Sequence, residues 1–333
     1  MTVREYWVAV GYRALVSFLR FIALFLAMNQ SLFAITDKAS SRIVADIIQA
    51  LSNIQQSPQD FLKSKSNLYF PNLQESHVND AFYEKCEKFV QESSQERVFF
   101  LKSVPQDEAL NTARPSVRLL EGRVAYIYLP APHLQSTQKS AYIRFIRKII
   151  RRLERRSPKG WIIDLRDCSG HDPKTLLAGC VDLFQEGPLG FIEQQGPVIE
   201  SFSKVQNKLF FKNEYLSGGG RLPVRVFNSP RKIAVLQSKE TKVAGEVLVL
   251  AFKSQKVTKS FGEETAGDLT YYKPYFLQTG GCLLAREGRF LNLTGDYFIS
   301  GLTPDIPIPD FSRDIDACLN KALEWILGED EEF

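Results

Sequence analysis

The sequence predicts an α/β fold, a β-α-β core preceded by a small N-terminal helical subdomain, and three observations predict it. Two runs, Trp161-Ile162-Ile163 and Ile233-Ala234-Val235-Leu236, are continuously apolar over the length of a strand, the pattern of a parallel strand buried on both faces. From 123 onward strand-like and helix-like stretches alternate: strand 123–130, helix 135–156, strand 160–166, helix 173–184. Before that, from 40 to 94, apolar residues recur only at helical spacing.

Composition excludes some classes. The 333 residues are 44% hydrophobic and 24% charged, too apolar for a disordered chain. The 42 basic residues exceed the 38 acidic ones by only four, a balance that does not point to nucleic acid as a partner. Cys86, Cys168, Cys180, Cys282 and Cys318 are scattered without the spacing of metal ligands, so no metal and no cofactor is expected. Their odd number leaves at least one thiol unpaired.

Taken in order, residues 1–34 read as an address. Arg4, Arg13 and Arg20 precede an apolar run, Phe21 to Met28, and Ala34 offers a small residue for cleavage. The segment is a secretory signal or an uncleaved membrane anchor, with an amphipathic helix of the folded domain as a third reading. Either of the first two makes the folded part secreted, periplasmic or anchored on the outer side of the cytoplasmic membrane.

Residues 35–112 form the helical subdomain. Ile43, Ile47, Ile48 and Leu51 make one apolar stripe, Ser57-Pro58 opens a second helix through Phe61 and Leu62, and a third buries Phe82, Cys86 and Val90. Pro105 and Pro115 bracket the boundary to a core spanning 113–328. Its long helix, 135–156, turns Tyr142, Ile146, Ile149, Ile150 and Leu153 inward. The opposite face holds Arg144, Arg147, Lys148, Arg151, Arg152, Arg155 and Arg156, either a solvated surface or a contact for an anionic membrane or an acidic partner. Residues 217–220 read as a glycine-rich loop, a final helix ends near Leu327, and 329–333 is an acidic tail.

Ligand sites in open parallel sheets form at the carboxyl ends of strands, which here selects the loops 167–172 and 238–243. The second loop joins a strand to a helix, a place where one side chain projects beside free backbone N–H groups.

Several motifs then coincide in order: Trp161 to Arg166, Leu177-Ala178-Gly179, Glu186 to Gly190, Ile233 to Leu236, Gly245-Glu246, Ala251-Phe252-Lys253, Ser260 to Gly267 and Gly301 to Asp305. Together they resemble the tail-specific, or C-terminal-processing, serine peptidase family, whose core is of the ClpP/crotonase-like type. The chain is most similar to its short branch without a PDZ domain, which includes the nisin-resistance protease. The resemblance spans 122–308 and implies a serine-type endopeptidase ancestry, with proteolysis of peptide or unfolded protein segments.

Residue by residue, the resemblance implies a site without its chemistry. The family's T-[AG]-S-[SA]-[GS]-E turn falls on Thr241-Lys242-Val243-Ala244-Gly245-Glu246, so the nucleophile position is Val243. The position of the base is Arg97 in the histidine-using branch and Asp268 in the lysine-using branch. An isopropyl group cannot attack a carbonyl, and an arginine stays protonated. The oxyanion loop reads Asp164-Leu165-Arg166-Asp167-Cys168-Ser169-Gly170-His171, keeping of the family's glycines only Gly170; Asp and His tolerate left-handed backbone angles, so the loop can form. The expectation is a pseudoenzyme that binds peptide in the former cleft, lined by Ser169, Gly170, Ala244, Gly245 and Glu246, with Glu246 and the Gly170 loop as the candidates for recognition. The alternative is an active peptidase whose nucleophile has moved to Cys168 or Ser238, with His171 as base.

Overall fold

Apolar residues at helical spacing become packed helices in the first of two units into which the chain divides. The computed structural model describes residues 39–55, 59–71, 73, 78–95, 97–101, 115–131, 139–194, 199–206, 208–212, 214–216, 231–309 and 316–328. The address segment 1–34, Ser57-Pro58, the glycine-rich loop 217–220 and the acidic tail lie outside them.

The first unit comprises Met1–Ser103 together with Pro274–Ala285. Helices α1 (39–55), α2 (Gln59–Tyr69) and α3 (Asp80–Ser93) bury Ile43, Ile47, Ile48, Leu51, Leu62, Phe82, Cys86, Phe89 and Val90 against one another. The Asn79 side chain accepts from the Phe82 N–H at 2.9 Å and so caps α3. Strand β1 (Val98–Leu101) pairs antiparallel with residues 282–285, bringing Phe100 and Leu283 into the same core. That return of 274–285 to the helices is long-range, which is why a reading along the chain assigned it to the following domain.

The second unit comprises Val104–Lys273 and Arg286–Phe333. In it, β2 (Ser116–Leu120) pairs antiparallel with β3 (Val124–Tyr128), and α4 (Lys139–Glu154) leads to β4 (Gly160–Asp164), parallel to β3. The short β5 (Ser169–Gly170) and α5 (Pro173–Cys180) precede an antiparallel meander of β6 (Gly187–Gln194), β7 (Ile199–Val205), β8 (Lys208–Phe211) and β9 (Glu214–Leu216). Strand β10 (Lys232–Gln237) lies parallel beside β4, then feeds β11 (Lys242–Val243) and α6 (Ala244–Lys253), and β12 (Thr258–Gly262) lies parallel beside β10. Strands β13 (Thr270–Phe276) and β14 (Cys282–Leu291), each divided between the two units, pair with one another, and the second half of β14 pairs with β6; β15 (Ile306–Pro307) and α7 (Ala317–Leu327) close the chain.

The main sheet runs β15-β12-β10-β4-β3-β2. Every residue of β4 is buried, because helices cover both faces. On one side Ile127, Trp161, Ile163 and Val235 pack with Ile146 and Ile150 of α4, Leu176 of α5 and Val247 of α6. On the other, Tyr126, Ile162, Ala234 and Leu236 pack with Cys318, Ala322 and Ile326 of α7. Among the described residues, no helix is long and apolar enough to cross a membrane.

One expectation needs correction. Arg147 does not belong to the exposed face of α4: it is buried, with its guanidinium bound two-pronged to Asp182 at 2.9 and 3.1 Å, and Arg151 meets the same carboxylate at 3.2 Å. A helical stripe is wider than one row, and a buried aspartate on the neighbouring 3-10 turn recruits the two arginines nearest it. All five cysteines are buried, and none is joined in a disulfide.

Candidate functional site

The turn that follows β10 is laced to the end of β4. The Ser238 hydroxyl donates to the Arg166 carbonyl at 2.6 Å and accepts from the Glu240 N–H. The Thr241 hydroxyl donates to the Leu165 carbonyl and accepts from the Ser238 N–H, while the Lys242 N–H donates to the Cys168 carbonyl. These bonds set up the two-residue parallel ladder between β5 and β11, with Lys242 opposite Ser169 and Val243 opposite Gly170. The two loops selected from the sequence are thus joined into one structure.

Val243 sits at the apex, where β11 becomes α6, with φ +42° and ψ −95°. A β-branched residue at positive φ is a genuine outlier, costing on the order of 1–3 kcal/mol, and it persists only where the surroundings hold it. The same sharp strand-to-helix geometry is what mounts the nucleophile in α/β-hydrolases. Here the side chain is a buried isopropyl group with no lone pair.

Glu246 holds the apex in place. It has no solvent exposure, and each carboxylate oxygen accepts two hydrogen bonds. Oε1 takes the Thr265 hydroxyl at 2.6 Å and the Gly267 N–H at 2.7 Å; Oε2 takes the Val243 N–H at 3.0 Å and the Asp268 N–H at 2.8 Å. Gly245 makes the close approach possible: a Cβ there would stand 2.3 Å from the Cys168 carbonyl oxygen.

Beside this turn His171, Asp268, Tyr272 and Arg286 form a polar aromatic wall. The His171 and Tyr272 rings meet edge to face at 5.3 Å, and the Arg286 guanidinium lies 5.9 Å from the Tyr272 ring centre. The Tyr272 hydroxyl donates to the Asp268 carboxylate at 3.1 Å. Burial, with the Asp268 charge added, pushes the Tyr272 hydroxyl up to about 12. Burial lowers His171 below the ordinary imidazole value, and the Asp268 charge only partly opposes it. Near neutral pH the wall therefore presents a neutral imidazole, a protonated phenol and a cation.

Several predicted roles are corrected by this geometry. Glu246 is sealed and saturated, so it positions the turn and cannot meet a ligand. Cys168 has no exposure, and burial followed by the Asp167 charge pushes its thiol up to about 12, the opposite of an activated nucleophile. The charge acting on His171 is that of Asp268, and the ring meets Tyr272 edge to face; among the described residues no hydrogen bond joins it to Cys168. The Ser238 hydroxyl is consumed by the turn. Nor does the Gly170 loop rely on left-handed angles, since no residue from 167 to 172 has a positive φ. Ala244 is buried in the first turn of α6, whereas Ser169 is exposed and Gly170 half-exposed along the ladder. Arg97 lies in the first unit, exposed, where its backbone N–H donates to the Ser94 carbonyl before β1.

The sequence reading missed Thr265, Tyr272 and Arg286. Thr265 lies within the Ser260 to Gly267 stretch, but its bond to Glu246 crosses 19 positions. A serine and a lysine in contact, Ser260 and Lys253 at 3.0 Å, have the look of a displaced dyad. Ser260 has no exposure, and Asp305 takes both its N–H and its hydroxyl while also pairing with Lys253 at 2.7 Å, so the cluster ties α6 and β12 to the 303–305 segment. Among the described residues no group of His, Cys, Asp and Glu side chains could hold a metal ion.

Residues 123–308 match the family model described as peptidase family S41. A structure of a lipoprotein from Streptococcus agalactiae is similar over 87% of this chain and 96% of its own, at 19% identity and a TM-score of 0.65. The photosystem II D1 C-terminal processing protease is similar over 64% of this chain and 48% of its own, at 18% identity and a TM-score of 0.41. A sequence comparison with curated proteins finds no match.

Proposed function

The chain belongs to peptidase family S41, and from that premise we propose that it is a pseudopeptidase, a member that holds peptide or unfolded protein segments without cutting them. The observation that carries this reading is the apex at Val243: the strained strand-to-helix turn is held by four hydrogen bonds to a sealed carboxylate, yet its side chain has no nucleophilic atom. Strain is retained where the shape serves a use. Peptide recognition by strand addition uses backbone groups, and the β5–β11 ladder beside the His171–Tyr272–Arg286 wall offers an exposed strand edge at Ser169 with aromatic and cationic flanks. At the positions of the family's bases, Arg97 is a guanidinium that cannot take a proton from a restored serine, and Asp268 is a carboxylate held by the Tyr272 hydroxyl in place of the family's lysine.

The location we propose is outside the cytoplasm, secreted or tethered to the membrane. The order of charges, apolar run and Ala34 in the first 34 residues supports it, as does the likeness to a lipoprotein.

Two measurements test the functional reading. Fluorescence anisotropy with labelled unfolded peptides is expected to show association, and casein hydrolysis and fluorophosphonate labelling are expected to be absent in both the wild type and Val243→Ser. No association with any peptide removes the binding half. A casein activity abolished by Cys168→Ala or Ser238→Ala overturns the inactive half.

A further inference from the structure

We propose that the outward face of α4 is a docking surface for an anionic lipid bilayer. Arg144, Lys148, Arg152 and Arg155 recur at i, i+4, i+8 and i+11, an exposed stripe about 17 Å long at the rise of an α-helix. Exposed Arg156, Lys159 and Arg123 extend it beyond the helix end. The Arg123 guanidinium donates to the carbonyls of Arg156 and Ser157, which fixes that corner.

The carboxylates that would neutralise such a face are committed elsewhere. Asp182 is taken by Arg147 and Arg151, and Glu154 by the Trp161 indole at 2.8 Å and by Arg231 at 3.4 Å. Among the described residues none of Arg144, Lys148, Arg152 and Arg155 forms an ion pair. With Arg123, Arg156 and Lys159 they make seven exposed cations, while the whole chain carries an excess of only four. An ordinary solvated face mixes both signs.

Phe145 distinguishes the kind of anion. It is 45% exposed and stands in the row beside Arg144 and Lys148. A ring flanked by cations suits the boundary between headgroups and acyl chains, where basic residues gain from anionic lipid and an aromatic gains from partial burial. The apolar side of α4, with Ile143, Ile146 and Ile150, is spent on the core, so the helix lies on the bilayer as part of a rigid body and does not insert.

The test is co-sedimentation of the full chain with phosphatidylcholine vesicles, with and without about 30% phosphatidylglycerol, at about 50 and about 300 mM salt. Because 1–34 can itself bind lipid, the quantity read is the gain in affinity on adding phosphatidylglycerol. We expect Arg144→Glu/Lys148→Glu/Arg152→Glu to lower that gain roughly 100-fold, Lys148→Glu alone roughly fivefold, and high salt to erase it. Phe145→Ala should cost roughly threefold. The proposal is overturned if the triple variant, or Lys148→Glu should the triple not fold, keeps the full gain. It is also overturned if reversing Arg42, Lys85 and Lys88 costs as much, or if duplex DNA binds more tightly than the vesicles at matched charge.

Discussion

Asp164 and Glu246 are both buried carboxylates near the carboxyl ends of adjacent parallel strands, and they are stabilised in different ways. Asp164 ends β4 and is paired with a cation: Arg166 reaches it at 2.7 Å and continues to Asp316, the cap of α7, at 2.8 Å, while Tyr126 donates its hydroxyl at 2.7 Å. Glu246 accepts only neutral donors, three backbone N–H groups and one hydroxyl. The first arrangement ties a helix onto a sheet through charge. The second fixes the backbone of two loops around Val243, so that removing one side chain releases the whole site.

The largest expected break follows from that difference. Glu246→Ala leaves four donors buried without acceptors and should cost about 4–6 kcal/mol, or prevent folding. Glu246→Gln turns an amide donor toward donors and should cost about 2–4 kcal/mol, more than Asp164→Asn, whose Arg166 keeps Asp316. Urea unfolding of both isosteric variants measures the contrast. Equal losses would mean that the charge pair and the neutral cage do the same job.

Next comes Gly245→Ala. Its Cβ would overlap the Cys168 carbonyl oxygen, so either α6 or the Cys168 segment must move, at about 2–3 kcal/mol. The same substitution should weaken peptide binding, because it separates β11 from β5. Anisotropy on protein kept well below its unfolding midpoint checks that second effect.

How much of this could be read beforehand depends on the range over which each feature is encoded. The β-α-β core was legible because continuous apolar runs such as Trp161-Ile162-Ile163 report burial on both faces within a few residues. The meeting of loops 167–172 and 238–243 followed from the parallel order of strands. The roles of Glu246 and Arg147 were not legible, since the partners that seal each come from 19 or more positions away: Thr265, Gly267 and Asp268 for one, Asp182 for the other. The strain at Val243 was hidden for a related reason, since valine by itself argues for extended backbone and only the cage overrides it.

A smaller effect tests the charged side of the comparison. Burial tends to raise the Asp316 carboxyl, but Arg166 and the Leu319 N–H outweigh it and hold it below the usual carboxylate range. The lower value in the folded state means that the unfolded chain binds protons first on acidification. The stabilisation is complete above about pH 4 and is lost as pH falls further. Asp316→Asn should cost about 1 kcal/mol at neutral pH and flatten the acid limb of the unfolding midpoint.

The smallest expected effect lies on the neutral side, at His171. Its folded pKa is lowered by burial, so between about 6.5 and that lower value the unfolded chain takes up a proton that the folded chain refuses. Stability should therefore fall as pH drops below about 6.5, a window above the one in which Asp316 titrates. His171→Gln removes the titration and should leave a flatter profile from pH 7 to pH 5 by well under 1 kcal/mol, read from urea midpoints at closely spaced pH. If peptide binding also fades in the wild type over that window and not in the variant, the wall of His171 and Tyr272 reads the ligand as a neutral surface; if binding strengthens on acidification, the imidazolium is the form that recognises it.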